Sequence, residues 1–267
     1  MLDLNLAQAV ARDAAIQAGD WLKQNQQKVM VLKSKADQLD LQTTADIEAE
    51  KLIFAVIEKS FPDHNLFSEE KGLVDKKSPF TWVVDPLDGT KEYVRNQSDF
   101  LSLVALQDKN EVLTGCVYNP STKETYTGAK NLGGFKLQQH LSASKESDIK
   151  KSFIYYRLSK QPHDQKLHGR VVEVLSKLLP AAYRVRGSTY DVMSICYVAQ
   201  GAAEGLVILP GLGVNWWDVA PGIVVANEAG AKITNAYGRP FKNQVMNDGL
   251  VITNGLIHEQ LLDIINQ

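Results

Sequence analysis

Apolar residues recur at helical spacing from the start of the chain. Leu6, Val10, Ala14, Ala18, Trp21 and Leu22 fall on one face and predict an amphipathic helix over residues 3 to about 27. The polar stretch from Lys33 to Asp46 reads as a loop or loose hairpin. Leu52, Ile53, Val56 and Ile57 mark a second helix, capped by Thr43 or Thr44 with Asp46 in its first turn and ended by Phe61-Pro62-Asp63. A brief strand near Asn65 to Phe67 leads into Ser68-Glu69-Glu70-Lys71-Gly72, and polar residues fill the gap that follows. Trp82 to Val84 is then a short continuous apolar run of the kind a buried strand shows. Pro86 has no N–H for a sheet ladder and its fixed φ suits the first turn of a helix, so the predicted path is strand, sharp turn, helical turn.

Phe100 to Leu106 and Glu111 to Val117 read as consecutive strands around Asp108-Lys109-Asn110. Tyr118-Asn119-Pro120-Ser121 and Gly133-Gly134 mark further turns, which makes an antiparallel meander. A polar segment, about Gln138 to Lys151, resembles a linker. Beyond it, strands at Ser152 to Tyr156, Arg184-Val185, Ala203 to Leu209 and Leu250 to Ile252 are interleaved with helices at His163 to Leu179, Ser188 to Gln200, Trp216 to Ala229 and His258 to Ile265. Mixed order without a strict βαβ rhythm predicts an α+β layered sandwich of two subdomains, 1–140 and 141–267.

Composition works mainly by exclusion. With 44% hydrophobic and 22% charged residues, neither disorder nor a fibrous class is indicated. A net charge of −2 offers no basic footprint for a nucleic-acid polymer. Met1-Leu2-Asp3-Leu4-Asn5 lacks the basic and apolar regions of a signal peptide, and nowhere is there the ~20-residue apolar run of a membrane span, so a cytoplasmic protein without integral membrane association is expected. Cys116 and Cys196 sit in apolar settings and read as buried free thiols.

Candidate chemistry concentrates in Asp85-Pro86-Leu87-Asp88-Gly89-Thr90-Lys91. In helical geometry the two carboxylates share a face with Cβ atoms roughly 5–6 Å apart. Mg²⁺ is the simplest counter-charge, because it takes carboxylate and carbonyl oxygens and keeps waters for a substrate phosphate. Gly89 allows close backbone approach, and the amides of Gly89, Thr90 and Lys91 favour an anion. Taken alone, Asp85 is equally a helix cap and Asp88-Gly89 a turn. Asp218, in the first turn of its helix, is by the same reasoning a cap, and Glu69 and Glu70 are two exposed glutamates. The five histidines, His64, His140, His163, His168 and His258, lack zinc-site spacing. No G-x-S-x-G elbow occurs, and Gly211-Leu212-Gly213 lacks the third glycine of a dinucleotide fingerprint. Trp216 and Trp217 read as packing residues.

The string from Trp82 to Tyr93 nonetheless resembles the signature of the Mg²⁺-dependent inositol monophosphatase superfamily, Asp-Pro-(Ile/Leu)-Asp-Gly-(Thr/Ser) after an apolar strand. Trp217-Asp218-Val219-Ala220, with Asn227-Glu228-Ala229-Gly230 behind it, resembles the second signature of that superfamily, in the expected order. The Thr90-Lys91-Glu92-Tyr93 ending is similar to the CysQ-type branch of 3′(2′),5′-bisphosphate nucleotidases. The resemblance implies a layered α/β/α/β/α sandwich. It also implies metal ligation by Glu69, Asp85, the Leu87 carbonyl, Asp88 and Asp218, enough oxygens for two or three Mg²⁺, with most ligands in the first subdomain. Asp46 would reach a further metal, Thr90 would pass a proton from the attacking water towards Glu69, and Glu69, Thr90 and Asp46 would form the catalytic set. Substrate contacts would come from Gly89, Thr90, Lys91, Arg186, Ser188 and Asp218, with Lys33 and Lys35 as further cations.

The implied reaction is removal of the 3′-phosphate from 3′-phosphoadenosine 5′-phosphate, a small phosphorylated substrate, and family members often form homodimers. Two departures bear on this. Nucleotidases of this type often show Gly-Ser-Ser-Leu-Lys where this chain has Gly187-Ser188-Thr189-Tyr190-Asp191, so the lysine is replaced by Asp191 or Val192. Inositol-specific members place a glutamate where Gly211 stands. The alternative within the same chemistry is an inositol or sugar monophosphatase. Outside it stands a catalytically silent phosphate-ligand sensor, against which the retained ligand positions and Thr90 speak.

Overall fold

The computed structural model describes residues 2–28, 30–34, 41–158, 164–188, 190–242 and 246–267. The chain divides into two compact units. One is Met1–Gln139 with Ala220–Val225, and the other is His140–Val219 with Ala226–Gln267.

The first unit opens with helix α1 (Leu4–Asn25), whose Asp3 cap accepts from the amides of Asn5 and Leu6. Its buried stripe is Ala7, Val10, Ala11, Ala14, Ala15, Ala18 and Leu22, whereas Leu6, expected on that face, is 45% exposed. Small alanines let the helix lie close to its neighbours. A two-stranded antiparallel hairpin of β1 (Val31–Ser34) and β2 (Leu41–Thr43) follows where a loop or hairpin is expected. Helix α2 (Thr44–Ser60) begins at a capping box, with Thr43 bonded to the N3 amide and Asp46 returning to the Thr43 backbone.

Next come β3 (Asn65–Ser68), β4 (Gly72–Val74), β5 (Thr81–Asp88), the short helix α3 (Thr90–Val94), β6 (Leu101–Gln107), β7 (Val112–Asn119), β8 (Glu124–Ala129), β9 (Gly133–Lys136) and β10 (Gln139–His140). They form one sheet in the order β10-β9-β8-β7-β6-β5-β3-β4. From β5 to β9 it is the expected antiparallel meander, and β3 joins β5 in parallel. Strand β4, in the stretch read as polar filler, is held by antiparallel pairing with β3. Gly133 and Gly134 open β9 and are not a turn; the turn lies just before them, where the Leu132 amide donates to the Ala129 carbonyl.

Trp82, Val83 and Val84 are fully buried, each such side chain contributing roughly 1.5–3 kcal/mol. Trp82, Val84, Leu87, Val104, Leu106, Cys116 and Tyr118 share one core with α1 and α2. On the opposite face, a Cβ on Gly115 would lie 2.7 Å from Pro221 Cα and one on Gly128 would lie 2.9 Å from Val225 Cα. Only glycine admits the Ala220–Val225 segment so close to β7 and β8.

The second unit contains β11 (Phe153–Tyr156), α4 (Gln165–Ala181), β12 (Arg184–Gly187), α5 (Asp191–Ala199), β13 (Gly205–Ile208), the ends of α6 (Trp216–Glu228), β14 (Lys232–Thr234), β15 (Leu250–Thr253) and α7 (His258–Asn266). Helix α5 starts at Asp191 and not at Ser188, which follows directly on β12, and His163 lies outside the described residues. The sheet runs β12-β11-β13-β15-β14, with β12, β11 and β13 parallel and the last two strands antiparallel. Ile154, Tyr156, Val207 and Val251 face a core shared with Val171, Val174 and Leu178 of α4 and Leu261 of α7. Tyr155, on the other face, stacks on Tyr197 of α5 at 5.6 Å. Both cysteines are free and buried. Among the described residues no helix is long and apolar enough to cross a membrane.

Candidate active site

The segment Asp85–Asp88 departs from its predicted conformation. It is not a helical turn but the end of β5, which carries a bulge between Asp85 and Asp88. Asp85 pairs with Leu103 and Asp88 with Leu101, so three steps on β5 match two on β6. The extra residue converts an i, i+3 pair, which a regular strand would place on opposite faces, into a pair sharing one face. The two carboxylates thus share a face through a bulge and not through a helical turn. Pro86 falls at the bulge, where its missing N–H breaks no ladder bond. The shared face is the one turned away from α1 and α2, towards which Gly115 admits Ala220–Val225.

Three neighbours complete the acidic end of this sheet. The Glu69 amide donates to the Val84 carbonyl at 3.2 Å and prolongs the parallel ladder, which sets Glu69 beside Asp85. Asp85 is 2% exposed, and its Oδ1 accepts the Leu87 amide at 3.0 Å, a short loop that fixes the carboxylate against its own backbone. Gly89 then takes φ +97°, the left-handed conformation open to glycine, and starts α3 at Thr90. Helix α3 is anchored by Tyr93, whose hydroxyl donates to the Leu22 carbonyl at 2.6 Å and whose ring meets Phe100 edge-on.

The Thr90 hydroxyl lies 3.0 Å from Asp46 Oδ1 and 3.1 Å from the Leu87 carbonyl. Its carboxyl partner in this structure is Asp46. Asp46 Oδ2 takes the Thr43 amide at 2.7 Å and the Thr43 hydroxyl at 2.6 Å. Burial pushes the Asp46 carboxyl above its ordinary value; the Thr43 and Thr90 hydrogen bonds pull the other way and the charge of Glu70 adds to the rise. Both Asp46 oxygens are engaged in hydrogen bonds. Two buried supports escaped the sequence reading. Glu50, 4% exposed on α2, accepts the Ser68 hydroxyl, and Gln42 donates to Glu70. Ser68 in turn accepts the Lys71 amide at 3.1 Å, so the turn bearing Glu69 is pinned from below.

The remaining expected residues are dispersed. Lys91 lies in the first turn of α3, its carbonyl accepting Arg95. Lys33 is in β1, and Lys35 lies outside the described residues. In the second unit Arg186 is exposed on β12 with its guanidinium 5.7 Å over the Phe153 ring. Asp218 occupies the first turn of α6, accepting Asn215 Nδ2 at 3.2 Å, two residues ahead of the segment that belongs to the first unit. The Ser188 hydroxyl meets Asp191 Oδ1 at 3.3 Å and Ser194 Oγ at 2.9 Å. Asp191 itself forms a buried ion pair with Arg157 at 2.8 Å, which nothing in the sequence signals.

Among the described residues no three carboxylate, imidazole or thiolate groups converge into an all-protein metal cage. The donor set fits Mg²⁺ all the same. That ion is held through one or two carboxylates and completes its shell with water and substrate phosphate. Asp85 and Asp88 on one face, Glu69 beside them and the Leu87 carbonyl are oxygen donors of that kind.

By its family match the chain falls in a superfamily of metal-dependent phosphatases. Its fold is that of the extragenic suppressor protein suhB from Bartonella henselae, with a TM-score of 0.86 at 25% identity over 96% of both chains. The inositol monophosphatase family profile matches residues 3–267, and the chain belongs to that family. It is 29% identical to the Nus factor SuhB of Vibrio cholerae serotype O1, over 88% of this chain and 85% of that protein. It is also 29% identical to the fructose-1,6-bisphosphatase/inositol-1-monophosphatase of Aquifex aeolicus, over 96% of this chain and 93% of that protein. These names do not support the expected bisphosphate nucleotidase branch. The Thr90-Lys91-Glu92 string is too short to carry a substrate assignment against a match along the whole chain.

Proposed function

We propose that the protein is a Mg²⁺-dependent phosphomonoesterase acting on an inositol or sugar phosphate. The observation that carries this reading is the Asp46–Thr90–Leu87 arrangement beside Asp85 and Asp88, in a chain that matches its family from residue 3 to residue 267. Bound Mg²⁺ supplies neutralisation of phosphoryl charge and acidification of the attacking water. Asp85, Asp88, Glu69 and the Leu87 carbonyl would hold it, with Asp218 as a further ligand. A hydroxyl has one proton and two acceptor lone pairs, so Thr90 accepts the proton of the attacking water while donating its own to Asp46. The raised affinity of Asp46 for a proton suits it as the terminus of that relay. Gly89, Thr90 and Lys91 line the phosphate side, and Ser188 and Arg186 belong to the part of the chain that meets the rest of the substrate.

Phosphate release with Mg²⁺ from inositol 1-phosphate, fructose 1,6-bisphosphate, 3′-phosphoadenosine 5′-phosphate and adenosine 5′-phosphate tests this. One of the first two is expected to be turned over fastest. Preference for 3′-phosphoadenosine 5′-phosphate would restore the nucleotidase reading, and no release from any of them would sink the phosphatase.

A further inference from the structure

Arg157 follows directly on β11, and its amide continues the ladder to the Val207 carbonyl of β13 at 3.0 Å. Its guanidinium does two things inside the second unit. It pairs with Asp191 Oδ2 at 2.8 Å, both side chains being less than 10% exposed, and it donates to the Gly213 carbonyl at 2.7 Å. Arg157, Asp191 and Gly213 follow the carboxyl ends of β11, β12 and β13, the three parallel strands of this sheet. In open α/β sheets, ligands are received at that edge of the strands. One buried side chain therefore ties together all three chain segments leaving it.

Two of the tied segments carry residues that the phosphatase reading assigns to the substrate or its metal. Asp191 holds the Ser188 hydroxyl at 3.3 Å, and Ser188 is further fixed by Ser194 and by its own amide on the Tyr156 carbonyl at 3.0 Å. Gly213 lies between Gly211 and Asp218, in a stretch where both glycines have positive φ, +84° and +65°. The stretch is held at one end by the Gly211 amide on the Asn247 carbonyl at 3.1 Å, and Arg157 fixes it at Gly213. A buried ion pair is a poor means of adding stability, since desolvation of both charges offsets their attraction. Here one guanidinium nitrogen, Nη1, meets both acceptors, and the planar group fixes their directions.

We infer that Arg157 is a positioning residue for substrate selection: through Asp191 and the Gly213 carbonyl it sets the spacing of the Ser188 and Gly211–Asp218 segments that receive the non-phosphate part of the substrate. This rests on the phosphatase reading above. Arg157 touches neither phosphate nor the reacting atoms.

The test is steady-state kinetics of the full chain with Mg²⁺ on two substrates. One is whichever of inositol 1-phosphate and fructose 1,6-bisphosphate the wild type prefers; the other is para-nitrophenyl phosphate, whose flat leaving group has no hydroxyls to position. Arg157→Leu and Asp191→Asn each strand a buried partner, so the main variant is the double Arg157→Leu/Asp191→Leu, which removes both charges at once. It is expected to melt close to the wild type and to raise KM for the preferred substrate about tenfold or more, with kcat within about threefold. The preference over para-nitrophenyl phosphate, as a ratio of kcat/KM, is expected to fall by about the same factor, and Arg157→Lys to recover part of it. A folded double variant with an unchanged ratio overturns the inference. So does equal loss of kcat on both substrates, or a double variant that does not fold, since the pair is then a structural brace. Absence of wild-type turnover on every phosphoester instead removes the phosphatase reading, and the inference with it.

Discussion

Thr90 Oγ1 stands 3.0 Å from Asp46 Oδ1, although the two residues are 44 positions apart in the chain. The contact links the start of α2 to the start of α3 and gives the site a hydroxyl–carboxyl pair. Thr90→Ala and Asp46→Asn are each expected to lower kcat by about 10²–10⁴, the usual worth of a positioned proton acceptor, while Thr90→Ser keeps most of the rate. Near-wild-type kcat for Asp46→Asn would refute the relay.

The same carboxyl has a raised pKa, so its ionisation opposes folding. Its stabilising contribution is complete below the unfolded value of 3.8 and is lost as pH rises through the higher folded value. At neutral pH Asp46→Asn, which keeps an oxygen for Thr43, is therefore expected to leave the melting temperature unchanged within about 3 °C while activity collapses. A large drop in melting temperature would show that the carboxylate is needed for the fold and not only for turnover.

Ser68→Ala leaves the Glu50 carboxylate buried without its hydroxyl donor. A loss of about 1–3 kcal/mol is expected in denaturant unfolding. Glu50→Gln, which carries no charge to strand, should cost less. If both variants unfold at the wild-type midpoint, the Ser68–Glu50 contact does not pin the Glu69 turn.

How far the sequence foretold all this depended on how local the cause was. The span of α1 follows from apolar spacing and that of α2 from its apolar stripe and a cap at Thr43 or Thr44; β6 and β7 are marked by their own apolar runs around Asp108. Strand β4 was not visible because Gly72–Val74 is a strand only by virtue of its pairing with β3. The bulge at Pro86 was read as a helical turn because nothing in the string itself says that Leu103 and Leu101 lie opposite. Both geometries put Asp85 and Asp88 on one face. Asp191 was noticed only as a missing lysine; its partner Arg157 sits on another strand, and no short-range pattern links them.

Removal of divalent ions with EDTA is expected to abolish phosphate release, and Mg²⁺ to restore it. The melting temperature should climb with Mg²⁺ concentration, by roughly the equivalent of 2.7 kcal/mol at a hundred times the dissociation constant. Asp85→Asn should lose both responses. A melting temperature indifferent to Mg²⁺ would argue against a resident ion at Asp85 and Asp88.

His258 bears on acid stability. Its Nε2 meets Thr234 Oγ1 at 3.0 Å and its Nδ1 meets Thr253 Oγ1 at 2.9 Å. The Thr234 hydroxyl donates to the Asn235 carbonyl, which assigns the ring proton to Nε2 and leaves Nδ1 as an acceptor. Burial and the nearby Lys232 cation depress the imidazole pKa to about 4, against a pull from Glu259. The stability this contributes is present above the unfolded pKa of 6.5 and is lost as pH falls through the folded value. Unfolding measured between pH 7 and pH 4 should show about 2 kcal/mol lost from this group, allowing for screening, and His258→Gln should flatten that slope. An unaltered slope would assign the acid sensitivity elsewhere.

Helix α6 lends Ala220–Val225 to the first unit, while the chain on both sides belongs to the second. During synthesis, therefore, the amino-terminal unit cannot complete itself when its own long sheet has emerged. Gly115 and Gly128 wait, with a bare apolar face above them, for a piece of helix made some ninety residues later. A polypeptide cut at residue 139 should accordingly be prone to aggregate. The segment that closes the sheet carrying Asp85 and Asp88 is thus made only after much of the second unit, so neither unit finishes folding before the other is synthesised.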